Sequence, residues 1–528
     1  MSRSGSEARA PGDDTLAMAT VADTLPDDAA IDAGFWSAIG ARPLAAALAM
    51  CVGAAFTATP FLDTRLWPLA WLGLVPLFGV AARARTPRRA ALLGLLMGFV
   101  IQIIGFHWIV TTITRFGGFP LPIALFFFSA LALYSALPFA IAAGVLRWIG
   151  PAPVLLAPVL WASIEFLFPA LFPWRIAHSQ REVTTLLQTG DFGGPFVLSF
   201  VMAYVAAGVA RLPRGRALIA PAVAVLAVLL YGAWRMPQIE RAIADAPAFR
   251  VGVVQGNLLL DEKRQRELFD SNVARYRRLS SGLTPPPDVF IWPETVVEWG
   301  IPLETPTLRG LDPFPNAPAP LLFGAVAYRD YGRQMEWFNS AFLRRADGSI
   351  GGRYDKIVLM PFGEFIPFSG MFPALKALSP NTGDFHAGDG PGVLQVDDRA
   401  RIGALICYED LLAGHVRRTV AMGANLIAAM TNDAWFGDSA ALHEHDSLAL
   451  WRAVENRRYL IRATNTGLSS VTDPLGRTSA TLPKHEATAA AVGVHLLEIT
   501  SPYQRFGDTF GWLCVAAAVS LLIWCRRP

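Results

Sequence analysis

The sequence predicts a polytopic α-helical membrane protein of about eight spans, with an α/β domain of roughly 250 residues inserted before the last span. Charged residues make up only 16% of the 528-residue chain and hydrophobic residues 53%, where a soluble globular protein carries about 25% charged. The apolar excess is uneven. Residues 43–236 are almost free of Asp, Glu and Lys, while 250–500 have ordinary soluble composition. Mean hydropathy is positive for the whole chain, at +0.38. The formal net charge of +3 is too small to mark a nucleic-acid binder.

Residues 1–42 are small and polar. They hold Asp13, Asp14, Asp23, Asp27, Asp28 and Asp32 and read as a disordered acidic tail. No basic segment runs directly into an apolar one, so no cleavable signal peptide is expected. A bilayer core takes about 20 apolar residues. Candidate spans lie at 43–60, 65–82, 90–110, 120–146, 152–169, 192–211 and 217–235, with an eighth at 509–525. This divides the chain into the tail, a seven-span membrane domain at 43–236, a soluble domain at 237–505, and a last span with a basic end at 506–528. With eight spans, Arg83, Arg85, Arg88, Arg89, Arg147, Arg211, Arg214, Arg216, Arg526 and Arg527 all fall on one side. That side is expected to be cytoplasmic, as are both termini. The soluble domain then faces outward, which in a bacterium is the periplasm. Glu165 and His107 are costly in hydrocarbon. They read either as satisfied interhelical groups or as the lining of a head-group cleft. Trp108, Trp161 and Trp174 fit interfacial belts.

Within the soluble domain, strand signals lie at 250–257, 288–294, 320–328, 340–345, 401–409, 424–432, 459–465 and 468–473. Several are continuous apolar runs, as in strands buried on both faces. Helix signals lie at 262–280, 411–423 and 439–457. The residues themselves indicate layered α/β structure around a central mixed sheet.

Cys51, Cys514 and Cys525 fall in expected spans, so Cys407 is the lone thiol of the soluble domain. It ends the apolar run RIGALIC, and a group at a strand's C-terminal end sits at the mouth of an α/β sheet. On this alone it reads equally as a nucleophile or as an inert core cysteine. A nucleophilic thiol needs a base and an oxyanion donor. His443 and His445 form an HEH run; read as metal ligands they lack an evident third or fourth partner. Glu294 ends VFIWPE in the same topological position as Cys407, with Pro293 setting the turn and Trp292 expected to shield it. Lys356 follows GGRYD and offers an ammonium.

Taken together, WPE, YDK with PFGE, and CYED stand in the order of the Glu–Lys–Cys triad of the nitrilase superfamily. The flanks VQGN (254–257), KIVLMPFGEFIP (356–367), TNDAWFGDS (431–439), RAVENRRYLIRATNTG (452–467) and SPYQRFGD (501–508) narrow the match. The chain resembles the bacterial apolipoprotein N-acyltransferase family over about residues 43–525. The resemblance implies an inserted nitrilase-like domain, an αββα sandwich. It implies that Cys407 is the nucleophile, Glu294 the general base and Lys356 the oxyanion donor. Glu364, Tyr408, Glu409, Asn339 and Asn432 are then supporting residues. An acyl chain would pass from a membrane phospholipid to Cys407 and on to the α-amine of the N-terminal S-diacylglyceryl-cysteine of an apolipoprotein. This is the last step of bacterial lipoprotein maturation. No cofactor or metal is implied, the partners are lipid and lipoprotein, and a monomer in the inner membrane is expected.

The sequence departs from the family pattern at Arg264, where Trp commonly follows the lysine, and at 440–445, where G-P-x-Q-H is usual. GDT at 507–509 also departs, where the family motif ends in Trp. Two alternatives stand beside this reading: a membrane-tethered amidase or an acyltransferase with another acceptor, and a non-enzymatic transporter or receptor. Finally, residues 361–378 place Phe362, Phe365, Ile366, Phe368, Met371, Phe372, Leu375 and Leu378 just after Lys356, among prolines and glycines. They read either as core packing or as an apolar lid, with Phe368, Met371 and Phe372 then facing solvent or lipid.

Overall fold

The computed structural model describes residues 35–525 except 116, 151–153, 213–214, 306, 309, 333–334, 362, 367–368 and 373–382. The expected tail falls largely outside the described residues. It ends earlier than 42, because Phe35–Ala41 is helical and Trp36 packs against Gly79.

Among the described residues, four helices are long and apolar enough to cross a membrane: Pro43–Leu62, Pro87–Phe106, Leu121–Ile149 and Gly215–Asp245. A fifth exists if Thr184–Gly193 and Pro195–Val209, bent by 119°, count as one span. Helices of spanning length therefore do not reproduce the expected count of eight. The segment expected at 65–82 is a chain of short helices, Thr64–Leu69, Ala70–Gly73, Val75–Gly79 and Ala81–Arg83. Pro68 and Pro76 lie in it, and each removes a backbone donor that a continuous helix needs. The segments expected at 152–169 and 509–525 contain helices of only 12 and 16 residues, Leu156–Leu167 and Thr509–Trp524. Along Gly215–Asp245, Ile219, Val223, Leu226, Leu230 and Trp234 are exposed at helical spacing. Such an apolar outer face suits lipid, not water.

This last helix runs through the boundary expected at 236/237 and ends at Asp245. Ala242 and Ile243 near its end pack on the core of the α/β domain. Trp108 and Trp161 are buried, not set in an interfacial belt, and Trp161 packs on Phe139.

Among the described residues, the α/β domain has thirteen strands: β1 (Ala248–Gln255), β2 (Val289–Ile291), β3 (Val297–Pro302), β4 (Leu321–Asp330), β5 (Met335–Arg344), β6 (Ile350–Asp355), β7 (Gly392–Gln395), β8 (Arg401–Ile406), β9 (Leu426–Thr431), β10 (Leu460–Thr464), β11 (Ser470–Thr472), β12 (Thr478–Thr481) and β13 (Thr488–His495). They form two mixed sheets, not one central sheet. One runs β13-β1-β2-β4-β5-β6 with β3 beside β4, and the other β12-β11-β10-β9-β8-β7. Strand side chains alternate between faces, and here both faces are apolar. Val251, Val253, Ile291 and Leu322 of the first sheet meet Ile402, Ala404, Met430 and Ile461 of the second in one core. Val254, Phe290 and Phe323 turn the other way, towards Val273 and Tyr276 of helix Phe269–Ser281. Leu405, Ile427 and Leu460 turn towards helices Ala413–Ala421, Ala441–Ala449 and Trp451–Asn456. The layers are therefore helix, sheet, sheet, helix. Phe61 of the membrane part joins this last layer, so the domain rests on the membrane helices through apolar contact.

Candidate active site

Glu294 follows β2, Lys356 follows β6 and Cys407 follows β8. The topology thus brings three distant strand ends together. Lys356 Nζ lies 2.8 Å from Glu364 Oε2 and 3.6 Å from Glu294 Oε1. The Asn339 amide donates to both carboxylates, at 2.8 Å each. Glu364 also accepts from Met360 N, which folds the loop back over Lys356. The turn carrying Glu294 is crowded. Thr295 has φ 45°, and a Cβ on Gly324 would lie 2.4 Å from Pro293 O, so only glycine lets the neighbouring strand pass. Lys263 is buried and donates to the Glu294 carbonyl and to Thr295 Oγ1, at 3.4 and 3.0 Å. Trp292 does not act as the expected shield in its described contacts. Its ring packs on Tyr276 and Phe314, and its N–H donates to Ser280.

Glu409 joins the lysine loop to the cysteine turn. Its carboxylate accepts from Ile357 N, Val358 N, Ile406 N and Tyr354 OH at 2.8–3.0 Å. Tyr408 points the other way, its hydroxyl donating to Leu171 O of the membrane part. Asn432 is buried, but its described bond is with Asn465 and leads away from the trio.

The charges follow from burial. Burial raises the Glu294 carboxyl above its usual range; Lys356 opposes this and Glu364 reinforces it. Burial alone would discharge Lys356, but Glu364 and Glu294 outweigh it and hold the ammonium charged. Burial, helped by Glu294 and Glu364, raises the Cys407 thiol well above normal; Lys356 and a hydrogen bond with Thr431 pull the other way and do not win. The trio therefore joins a thiol kept protonated by burial, a carboxyl of raised proton affinity and a fixed cation, the kinds of group that nucleophilic attack by a thiol requires.

The apolipoprotein N-acyltransferase N-terminal domain family matches residues 52–208, and the carbon-nitrogen hydrolase family matches residues 250–501. An apolipoprotein N-acyltransferase of Geobacter metallireducens is 34% identical over 484 residues, which cover 87% of this chain and 91% of that protein. The chain belongs to the apolipoprotein N-acyltransferase family. Relatives of that name from Azotobacter vinelandii and Pseudomonas putida are 32% and 29% identical, over 87% and 90% of this chain and 90% and 95% of theirs. Among solved structures, Saccharomyces cerevisiae Nit3, of branch 10 of the nitrilase superfamily, is 16% identical with a TM-score of 0.36, over 47% of this chain and 90% of its own.

In this member of the apolipoprotein N-acyltransferase family, the departures seen in sequence replace no member of the trio. The Arg264 side chain lies outside the described residues. Glu444, within the departing stretch 440–445, is buried. Its Oε2 accepts from Trp108 Nε1 of the membrane part at 3.0 Å. Burial raises it to about 8, against the Trp108 hydrogen bond. His445 is not free to bind a metal: Asp410 and Asp433 occupy both ring nitrogens, at 2.8 and 3.2 Å.

Sequence reasoning missed Lys263, Asp410, Asp433 and Arg462 as parts of the site's frame. A charge inside DEKR or CYED looks solvated until the fold buries it. The apolar stretch at 361–378 is described in part. Met371 and Phe372 are 72% and 57% exposed, whereas Phe362, Phe368, Leu375 and Leu378 lie outside the described residues. The stretch is anchored beside Glu364, where Phe385 N donates to Glu364 O.

Proposed function

We propose that this protein transfers an acyl chain from a membrane phospholipid to the α-amine of the N-terminal S-diacylglyceryl-cysteine of apolipoproteins. The observation that carries this reading is the likeness to apolipoprotein N-acyltransferases over 87% of the chain, membrane helices included, around the Glu294–Lys356–Cys407 trio. An amidase needs no such membrane platform. The membrane part is read as eight spans, with the broken segment 64–83, the bent pair and the two short helices each crossing once. The enzyme then sits in the bacterial inner membrane with its catalytic domain in the periplasm, and acts as a monomer.

In the first half-reaction Glu294 takes the thiol proton as the sulfur attacks the ester carbonyl. The Lys356 ammonium stabilises the oxyanion. Collapse breaks the C–O bond, and the proton passes from Glu294 to the departing lysophospholipid hydroxyl. In the second, the acceptor amine attacks the thioester, Glu294 takes its proton, and the sulfur leaves and is reprotonated. Two successive transfers at one thiol give ping-pong kinetics. Purified protein supplied with labelled phospholipid and a diacylglyceryl lipopeptide is expected to yield the triacylated peptide. Free fatty acid as the sole product would favour the amidase-like alternative.

Orientation is tested by reporter fusions. Fusions at residues 86, 148 and 214 are expected to read cytoplasmic, and those near 117 and 245 periplasmic, from the arginine asymmetry. A periplasmic signal at 214 would break the eight-span reading.

The exposed Met371 and Phe372 support a lid that rests on lipid and keeps water from the thioester. Replacing Phe368, Met371 and Phe372 together with Ser is expected to weaken transfer from phospholipid more than folded yield, and to raise the share of acyl-enzyme lost as free fatty acid. Normal transfer without extra hydrolysis would show the loop to be inert.

A further inference from the structure

Cys407 has φ 53°, a conformation that costs a non-glycine residue energy and persists only where its surroundings hold it. It heads the turn Cys407–Leu411, and every following residue of that turn is held. Tyr408 and Glu409 are bonded as described above, and Leu411 O accepts from Arg452 Nη1 at 3.0 Å. Asp410 is held by charge. It is fully buried, and its two oxygens meet His445 Nε2 at 2.8 Å and Arg462 Nε at 3.0 Å.

The network extends beyond Asp410. His445 Nδ1 lies 3.2 Å from Asp433 Oδ1. A ring nitrogen facing a carboxylate on each side must donate at both, so His445 is an imidazolium. Arg462 on β10 also approaches Asp446 Oδ1 and Asp433 Oδ2, at 3.4 and 3.7 Å. Asp446 in turn accepts from Arg181 Nη1 at 2.9 Å and from Ser470 Oγ at 2.6 Å. Arg181 belongs to the segment between the helices Leu156–Leu167 and Pro195–Val209 of the membrane part. Three carboxylates, Asp410, Asp433 and Asp446, are thus matched by three cations, His445, Arg462 and Arg181. Burial of charge is tolerated in such a set only while each member keeps its partners.

We propose that Asp410 is a positioning residue for the Cys407 nucleophile, held by the His445 imidazolium and Arg462, and that Arg181, through Asp446, makes this position depend on the seating of the catalytic domain on the membrane part. This rests on Cys407 being the nucleophile. The trio is assembled from three separate strand ends, so a small displacement of the turn moves sulfur relative to Glu294 and Lys356 with no compensating motion. Misplacement by about 1 Å costs on the order of 10²-fold in rate.

The charge on His445 gives a readout that packing alone would not. The groups facing it are Asp410, Asp433 and Arg462. Burial and Arg462 work against its proton, but the two aspartates win and raise it to about 9. A raised histidine contributes fully below its unfolded value of about 6.5, and that contribution is lost as pH rises through about 9. The network therefore fails on the alkaline side.

The test uses full-length protein in detergent with Cys51, Cys514 and Cys525 replaced by Ala, labelled phospholipid as acyl donor, and no acceptor. The reading is the single-turnover rate of adduct formation on Cys407. Asp410→Asn is expected to lower that rate by about 10- to 100-fold in the folded fraction, with the half-saturating phospholipid concentration within about twofold and with lower thermal stability, because the buried His445 and Arg462 lose a counter-charge. In the parent the rate is expected to fall as pH rises through about 9. In His445→Gln it is expected to be low at neutral pH and flat from roughly pH 8 to 10. Arg181→Met, at the edge of the network, is expected to fold and to lose rate by about 3- to 10-fold. A parent that forms no adduct overturns the nucleophile reading and this proposal with it. A parent-like rate in folded Asp410→Asn overturns the proposal alone. If Asp410→Asn does not fold, a parent-like alkaline fall in His445→Gln together with a parent-like rate in Arg181→Met overturns it.

Discussion

Cys407→Ala is expected to eliminate acyl transfer, and Cys407→Ser to lower it by about 10³-fold or more, with membrane insertion and folded yield unchanged. Cys407 is partly buried just after β8, and under the proposed mechanism the loss of its sulfur leaves Glu294 and Lys356 with nothing to activate. The thiol contributes little packing, so the fold should tolerate its removal. Wild-type protein incubated with labelled phospholipid should trap an adduct on Cys407 that hydroxylamine releases. Both variants should lack it. An equal adduct on Cys407→Ala would place the nucleophile elsewhere.

Glu294→Gln is expected to lower thioester formation by roughly 10²–10⁴-fold, and Lys356→Met by a similar order. Glutamine keeps the shape and the bond from Asn339 but cannot take a proton. Lys356 sits between two carboxylates, so its removal takes away the cation that opposes the rise of Glu294. The two variants should differ in pH dependence. Burial raises Glu294, and a base with a raised value loses its function as pH falls through that value. The acid limb of wild-type thioester formation should therefore lie above the usual carboxylate range, near 4.3 for a free glutamate. Glu294→Gln should lack that limb. Labelling rates equal to wild type in both variants would reduce these residues to a structural role.

Much of the site was legible because its chemistry is local in sequence. WPE, YDK and CYED each couple an apolar strand to a polar residue at its end, and a strand end is where a sheet presents side chains to a cleft. The relation between them was not local. Asn339 bridges Glu294 and Glu364 only because β4 and β5 pair antiparallel, Val326 opposite Asn339. Asn432 has the right residue type, yet its described bond is with Asn465. The strands β3, β6, β7, β12 and β13 went unread: β7 and β12 are short edge strands, and TAAAVGVH is poor in the branched and aromatic residues that favour strands.

The sequence by itself determined the partition into membrane and α/β parts, because hydropathy and charge report the solvent each segment faces. It marked Cys407, Glu294 and Lys356 as candidates by their places at strand ends, and the family resemblance attached the roles of nucleophile, base and cation to them. Tertiary structure decided the rest. Two sheets form, and not one, because strands apolar on both faces need a layer on each side. The helix beyond residue 236 continues to Asp245 because Ala242 and Ile243 find a core to pack on. Asp410, Asp433 and Asp446 with His445, Arg462 and Arg181 become one neutral network only when residues from the membrane part, the cysteine turn, the turn after β9, a helix and β10 meet out of water. Burial makes such charges act over short distances, and no sequence window contains the partners that burial brings together.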